Sequence, residues 1–305
     1  MCSFNNGGIY MNIADDGYDC KVLAYGNGSA EVRFYSEPIR KRLKSKPLRA
    51  DAEQNTGYLE SFFDGVKLVP PERDHETKEQ KEARERLNLI NSVNRTKRKI
   101  YDLARSCEWQ VFATLTFDSN KIDRTDFKAC MAKIRVWLQN QRRTYAPELM
   151  FLVVPELHSD NTSWHAHLLL SNLGNMQLVD SGKVAVGKKA YDRKGLYKDF
   201  PPIYNLSWSW GWSTAIEIHD NEGHKIEQYI LKYITKQSCI LARGCHRYYA
   251  SKALSSPNVK TYCVGGKTQQ DVFLNHYCEK NGKKVVYSKT TDKYIETTFN
   301  MLENV

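Results

Sequence analysis

Two histidines one residue apart mark the stretch of this chain most able to do chemistry, Thr162-Ser163-Trp164-His165-Ala166-His167-Leu168-Leu169-Leu170. The three leucines and the alternation read as a half-buried strand, in which His165 and His167 share one face and Ala166 points to the other. Two imidazoles a strand step apart can bind a single divalent ion. Alone, such a pair is more often polar decoration of a strand. Upstream, Glu156 and His158 are spaced to share a face as well. A carboxylate beside two imidazoles forms a two-histidine, one-carboxylate set with open positions, suited to Mg²⁺ or Mn²⁺ acting on a phosphate. Glu156 is therefore the expected third ligand; His158 is a substitute or a supporting group, against the plainer reading of a surface-loop histidine. Downstream, the run from Ile226 to Lys236 carries Tyr229, Lys232, Tyr233 and Lys236. At 100° per residue, Ile226, Ile230 and Ile234 form the buried stripe, the tyrosines border it, and the lysines lie toward solvent. These are the groups that a metal-dependent phosphodiester transfer to tyrosine requires.

The elements that must hold these groups follow from local pattern. Gln110 to Phe117 alternates and is rich in β-branched and aromatic residues, predicting a strand. A helix through Phe127, Met131, Ile134 and Leu138, capped by Asp123 or Thr125, is expected to end before Pro147. A strand from Leu149 to about Glu156, the polar turn Ser159 to Thr162 and the two-histidine strand form an antiparallel pair. Residues 172 to 213 are polar and lysine-rich, and read as a long mobile loop near the site. Its closing Trp208, Trp210 and Trp212 read as packing residues slightly sooner than as base-stacking ones. Thr214 to Ile218 is a further strand. Before the first strand, Glu72 to Arg105 has no glycine or later proline, so a long helix leads in. Its basic second half fits a phosphate backbone and a solvated face equally well.

The flanking segments are less legible. Residues 1 to 70 are expected to form a β-rich or irregular arm, residues 71 to 255 the central domain, and residues 256 to 305 a C-terminal extension with one closing strand near 285 to 299. Arg243, Arg247, Tyr248 and Lys252 form a basic aromatic cluster suited to DNA. Gly265-Gly266-Lys267-Thr268 resembles the end of a phosphate loop, but Thr261 stands where that motif needs glycine, so no nucleotide cofactor is expected.

Composition agrees with an anionic partner that can be stacked upon. Lys and Arg outnumber Asp and Glu by 45 to 35, and 18 tyrosines and 6 tryptophans accompany that charge. The eight cysteines show no C-x-x-C pair or zinc-module spacing, which favours a reduced compartment. No apolar stretch is long enough to cross a bilayer and the first residues lack a signal-peptide pattern, so the expected location is the cytoplasm of a bacterial host, without a membrane partner.

The strand VFATLTF at 111 to 117, WHAHLLL at 164 to 170 and YILKYITK at 229 to 236 resemble, in order and spacing, the three motifs of the HUH endonucleases that initiate rolling-circle replication. The paired tyrosines resemble the two-tyrosine branch, and the phrases VPELH, WHAH and YILKYITK are similar to replication-associated proteins of filamentous and other small phages and of related plasmids. The resemblance covers roughly residues 88 to 255. It implies an α+β fold, with a central antiparallel sheet and packed helices in an RRM-like palm. It also implies that His165, His167 and Glu156 hold Mg²⁺ or Mn²⁺, and that a tyrosine oxygen attacks the scissile phosphate of single-stranded origin DNA to give a 5′-phosphotyrosine. Lys232 and Lys236 would bind phosphate or offset developing charge. A second tyrosine permits strand transfer and circle closure; a host DNA polymerase and a separate helicase would complete the cycle. The sequence leaves the order of attack open, with Tyr229 favoured because both lysines flank it on the helical projection. The rival readings are a non-catalytic basic nucleic-acid-binding relative, and a relaxase or transposase of the same chemistry.

Overall fold

The computed structural model describes residues 17–40, 78–187, 189–218, 230, 245–290 and 294–301. Its central feature is an eight-stranded antiparallel sheet. The strands are β3 (Val111–Phe117), β4 (Met150–Leu157), β5 (Trp164–Ser171), β6 (Val179–Val186), β7 (Lys189–Asp192), β8 (Pro202–Asn205), β9 (Gly211–Glu217) and β10 (Tyr249–Ala250), preceded in the chain by β1 (Gly17–Ala24) and β2 (Ala30–Arg40). The sheet order is β10-β4-β5-β3-β9-β8-β6-β7. Since β3 and β4 both run antiparallel to β5, they are parallel to each other, and the helix between them makes a split β-α-β unit with β5 inserted. The expected α+β class, with a central antiparallel sheet and packed helices, is therefore what the chain forms.

Strict alternation gives this sheet two apolar faces. Val111, Ala113, Leu115 and Phe117 of β3, with Ala166, Leu168 and Leu170 of β5, bury against Cys130, Met131, Ile134, Trp137 and Leu138 of a helix, Phe127–Thr144. Its cap is Asp126, not Asp123 or Thr125: the Asp126 carboxylate accepts from the backbone N–H groups of Lys128 and Ala129 at 2.8 and 3.1 Å. Asp123 instead accepts from the Thr125 N–H and hydroxyl, so it forms the turn before the helix. On the opposite face, Phe112, Leu152, Val154 and Leu169 pack with Ile100 and Leu103 of the lead-in helix and with Ile230. That helix, described from Lys78 to Ala104, is buried only toward its end; Ile90 is exposed.

The stretch 172 to 213 is not the expected loop. It supplies β6, β7 and β8, which extend the sheet beyond β9. Both faces of β6 and β7 are largely solvated, so no apolar alternation betrayed them. Hydrogen bonding to an already formed edge is what holds them.

A second, five-stranded sheet, in order β11-β1-β2-β13-β12, joins strands from near both ends of the chain: β11 (Asn258–Tyr262), β12 (Lys283–Thr290) and β13 (Tyr294–Met301). Phe273 of the helix Lys267–Asn281 packs with Cys20, Val22, Ala30, Val32 and Phe34. The turn before that helix holds an internal anion, since the Val264 and Gly265 N–H groups each donate to the Asp19 carboxylate at 2.7 Å. The two sheets are tied through Glu31 of β2, which is fully buried. Its carboxylate meets Arg33, Arg98 Nη1 at 3.2 Å and Arg105 Nη1 at 3.9 Å, and accepts from the Tyr25 hydroxyl at 3.1 Å. Arg98 also pairs with Asp102 at 3.0 Å. So Arg98, from the basic half of the lead-in helix, is engaged within the protein rather than presented to a phosphate. Among the described residues, Cys20, Cys107, Cys130, Cys245 and Cys278 are free. No described helix is long and apolar enough to cross a membrane.

Candidate metal centre

Cross-strand register assembles the site. Glu156 of β4 stands directly opposite His165 of β5, and His167 stands opposite Thr114 of β3. Directly paired residues point to the same side of a sheet, so Glu156, His165, His167, Thr114 and Thr116 share one face. It is the face on which Ile230 is buried. The β4–β5 turn fixes this register. Asp160 accepts from the Thr162 and Ser163 N–H groups at 2.9 and 2.8 Å and from the Ser163 hydroxyl at 2.6 Å, and these bonds hold its carboxyl well below the usual carboxylate range.

The three donors converge. His165 Nε2 lies 3.1 Å and His167 Nε2 2.7 Å from Glu156 Oε2, and the two Nε2 atoms are 3.1 Å apart. All three ligand atoms lie within 4.8 Å of one another. Glu156 is 1% exposed and His167 5%. Burying a carboxylate there is costly unless it is paired. Three donors aimed at one point also fit a divalent ion: ligands about 2.1 Å from a common centre and at right angles lie about 3.0 Å apart. The observed edges match that spacing, so these side chains could hold a metal ion.

His167 is oriented from two sides. Thr114 Oγ1 is 3.1 Å from its Nδ1, and the ring stacks on Phe112 with centroids 5.7 Å apart. If Nε2 faces an ion, Nδ1 carries the proton and donates it to Thr114 Oγ1, which fixes the tautomer. From the sequence, the hydroxyls of Thr114 and Thr116 are candidates to line the site, with strand geometry the readier role; placing β3 beside β5 sets Thr114 opposite His167. His158 is exposed, with its ring 5.5 Å from that of His165 and its Nδ1 3.1 Å from the Ser159 hydroxyl. It stands outside the donor set.

The remaining candidates divide. Tyr229, Lys232, Tyr233, Lys236 and Arg243 lie outside the described residues. Ile230, from the expected buried stripe, is fully buried beside Phe112 and Leu169, two residues along their strands from Thr114 and His167. Arg247 Nη1 donates to the Ser92 and Thr96 hydroxyls of the lead-in helix at 2.8 and 3.3 Å, Tyr248 packs against the second apolar cluster, and Lys252 is exposed. The tryptophans part company as well. Trp208 is buried and its Nε1 donates to the Thr116 carbonyl at 3.0 Å. Trp210 lies under the Lys133 ammonium, 3.9 Å from the ring centroid. Trp212 is exposed.

Residues 110–238 match the model of a family of replication-associated proteins of the ORF2 type. The match spans all three motifs on which the resemblance rests, and it supports a role associated with replication. No curated protein and no solved structure matches the chain.

Proposed function

We propose that the protein is a rolling-circle replication initiator that nicks single-stranded origin DNA through a 5′-phosphotyrosine intermediate. The observation that carries this reading is the convergence of Glu156 Oε2, His165 Nε2 and His167 Nε2 on one sheet face, within a segment matching a replication-associated family. A divalent ion held by these three residues would supply Lewis-acid polarisation of the scissile phosphate and offset its growing charge. Thr114 keeps the His167 Nε2 lone pair turned toward the site, and the apolar wall of Phe112, Val154 and Leu169 excludes water from one side of it. The tyrosine oxygen of Tyr229 or Tyr233 attacks phosphorus; the bond from phosphorus to the 3′ oxygen breaks, and that oxygen takes up the proton the phenol gives up. The burial of Ile230 on this face supports placing its helical neighbours close by. Lys232 and Lys236 bind the flanking phosphate, and the free 3′-hydroxyl primes a host polymerase. With no phosphodiester energy lost to water, the second tyrosine can receive the displaced strand and close a circle.

The test is incubation with single-stranded DNA from the protein's own replicon and Mn²⁺, followed by a denaturing gel. The wild type should form a covalent adduct that needs the ion, and His165→Ala should form none. Tyr229→Phe and Tyr233→Phe rank the nucleophiles. A folded protein that binds this DNA yet forms no adduct on any segment of it is a nucleic-acid-binding protein, and the nicking reading is then wrong.

A further inference from the structure

We infer that Trp212 is a stacking platform for a base adjoining the scissile phosphate of single-stranded DNA. The inference deepens the nicking reading and rests on it for the identity of that phosphate. Register places Trp212 in one row with the site: Trp212 of β9 pairs with Thr116 of β3, Thr116 pairs with His165 of β5, and His165 pairs with Glu156 of β4. Paired side chains share a face, so the indole stands on the side of the sheet that carries the three donors. At about 4.8 Å per strand step, its Cα is about 10 Å from that of His165. One nucleotide spans that separation from phosphate to base.

Among the described residues, none covers this indole. Trp212 is 64% exposed, whereas Trp208, four residues earlier, is 6% exposed in the core. Its neighbours on this face are Thr116, half-buried, and Thr214, exposed; both are too small to cover a ring. The row therefore runs from the buried Glu156 to an open aromatic surface. Single exposed apolar side chains are ordinary on a protein surface; what sets Trp212 apart is that its open ring lies in the same cross-strand row as the three donors. Its position is held firmly. A Cβ at Gly211 would come within 2.1 Å of the Thr116 carbonyl oxygen, so only glycine lets β9 approach β3 this closely. The backbone thus fixes the distance between the indole and the histidines. The excess of 45 basic over 35 acidic residues selects a polyanion as the occupant, and stacking is indifferent to base identity.

The test uses the full chain and two readouts. Fluorescence anisotropy with labelled oligothymidine reports stacking without any need for nicking, and adduct formation on replicon DNA reports the reaction. Trp212→Ala should bind oligothymidine about fivefold to a hundredfold more weakly, and Trp212→Phe should recover most of that loss. In the reaction, Trp212→Ala should raise the DNA concentration for half-maximal rate more than it lowers the rate at saturation. An abasic site beside the nick should impair the wild type and leave Trp212→Ala little changed. Unchanged oligothymidine affinity in Trp212→Ala overturns the inference, as does a loss that phenylalanine fails to restore. Light scattering showing that the wild type self-associates and Trp212→Ala does not would assign the ring to a second copy and overturn it too. If the wild type forms no adduct, the nicking reading fails, and the anisotropy arm alone still decides whether Trp212 stacks on single-stranded DNA.

Discussion

Replacing Thr114 by valine isolates a single hydrogen bond at the candidate metal centre. Valine keeps the β-branched shape that suits a strand, and the backbone pairing of position 114 with His167 and Thr214 is untouched. What is lost is the hydroxyl 3.1 Å from His167 Nδ1. With an ion on Nε2, the Nδ1–H becomes a polarised donor in a residue only 5% exposed, and leaving such a donor unpaired costs about 1–3 kcal/mol. The ion-free protein suffers less, because its imidazole can present a lone pair at Nδ1 and donate from Nε2 to Glu156 Oε2, 2.7 Å away. The difference falls on ion binding, at roughly tenfold to a hundredfold in Mn²⁺ affinity. Isothermal titration with Mn²⁺ measures it, with circular dichroism and the thermal midpoint as controls for folding. Thr114→Ser should recover most of the affinity. A valine variant that binds Mn²⁺ as tightly as the wild type would refute the orienting role of Thr114, and with it the tautomer assigned to His167.

Three further outcomes follow from the same geometry. Glu31→Ala removes the carboxylate shared by Arg33, Arg98 and Arg105; breaking so buried a network should cost about 3–5 kcal/mol in urea denaturation, and a change below about 1 kcal/mol would contradict it. Gly211→Ala forces a methyl against the Thr116 carbonyl, so the thermal midpoint should drop by the equivalent of about 1–3 kcal/mol or more, with oligothymidine affinity falling alongside. Asp160 titrates below the usual carboxylate range because it accepts three bonds in the β4–β5 turn. Its stabilising contribution is therefore complete above the unfolded value of about 3.9 and lost as the pH falls below it. The gap in thermal midpoint between wild type and Asp160→Asn should accordingly be widest near neutral pH and narrow in acid; a gap that widens in acid would show that the turn does not depend on the ionised carboxylate.

How much of this molecule can be read without its structure depends on how local each signal is. The short apolar runs of Val111–Phe117, Met150–Leu157 and Trp164–Ser171 are a property of each segment, and so is the helical spacing of Met131, Ile134 and Leu138. From those alone, His165 and His167 fall on one face, and a polar turn makes their strand an antiparallel neighbour of the one carrying Glu156. The donor set was legible for that reason. The helix cap was misread by a few residues, because Asp123, Thr125 and Asp126 offer similar local chemistry and only the backbone path selects Asp126.

Other features depend on which segments meet, and sequence carries no local trace of that. Strands β6 and β7 are largely solvated on both faces and β8 is only four residues long, so none shows an apolar rhythm; an existing edge at β9 organises them. The union of residues 17–40 with residues 258–301 in one sheet joins pieces more than two hundred residues apart. Trp208 and Trp212 are alike in the sequence, and one becomes core while the other stays in water because Trp208 precedes β9 and packs against Phe117 and Trp137, whereas Trp212 lies within β9. By itself, then, the sequence determined β3, β4, β5 and β9, the lead-in helix and the helix after β3, the face shared by the two histidines and the chemistry they can do, since residue pattern and side-chain identity are local. Tertiary structure alone decided that Thr114 meets His167, that Glu156 and His165 stand at the same level, and that Trp212 lies in their row, since register across a sheet is set by long-range backbone pairing.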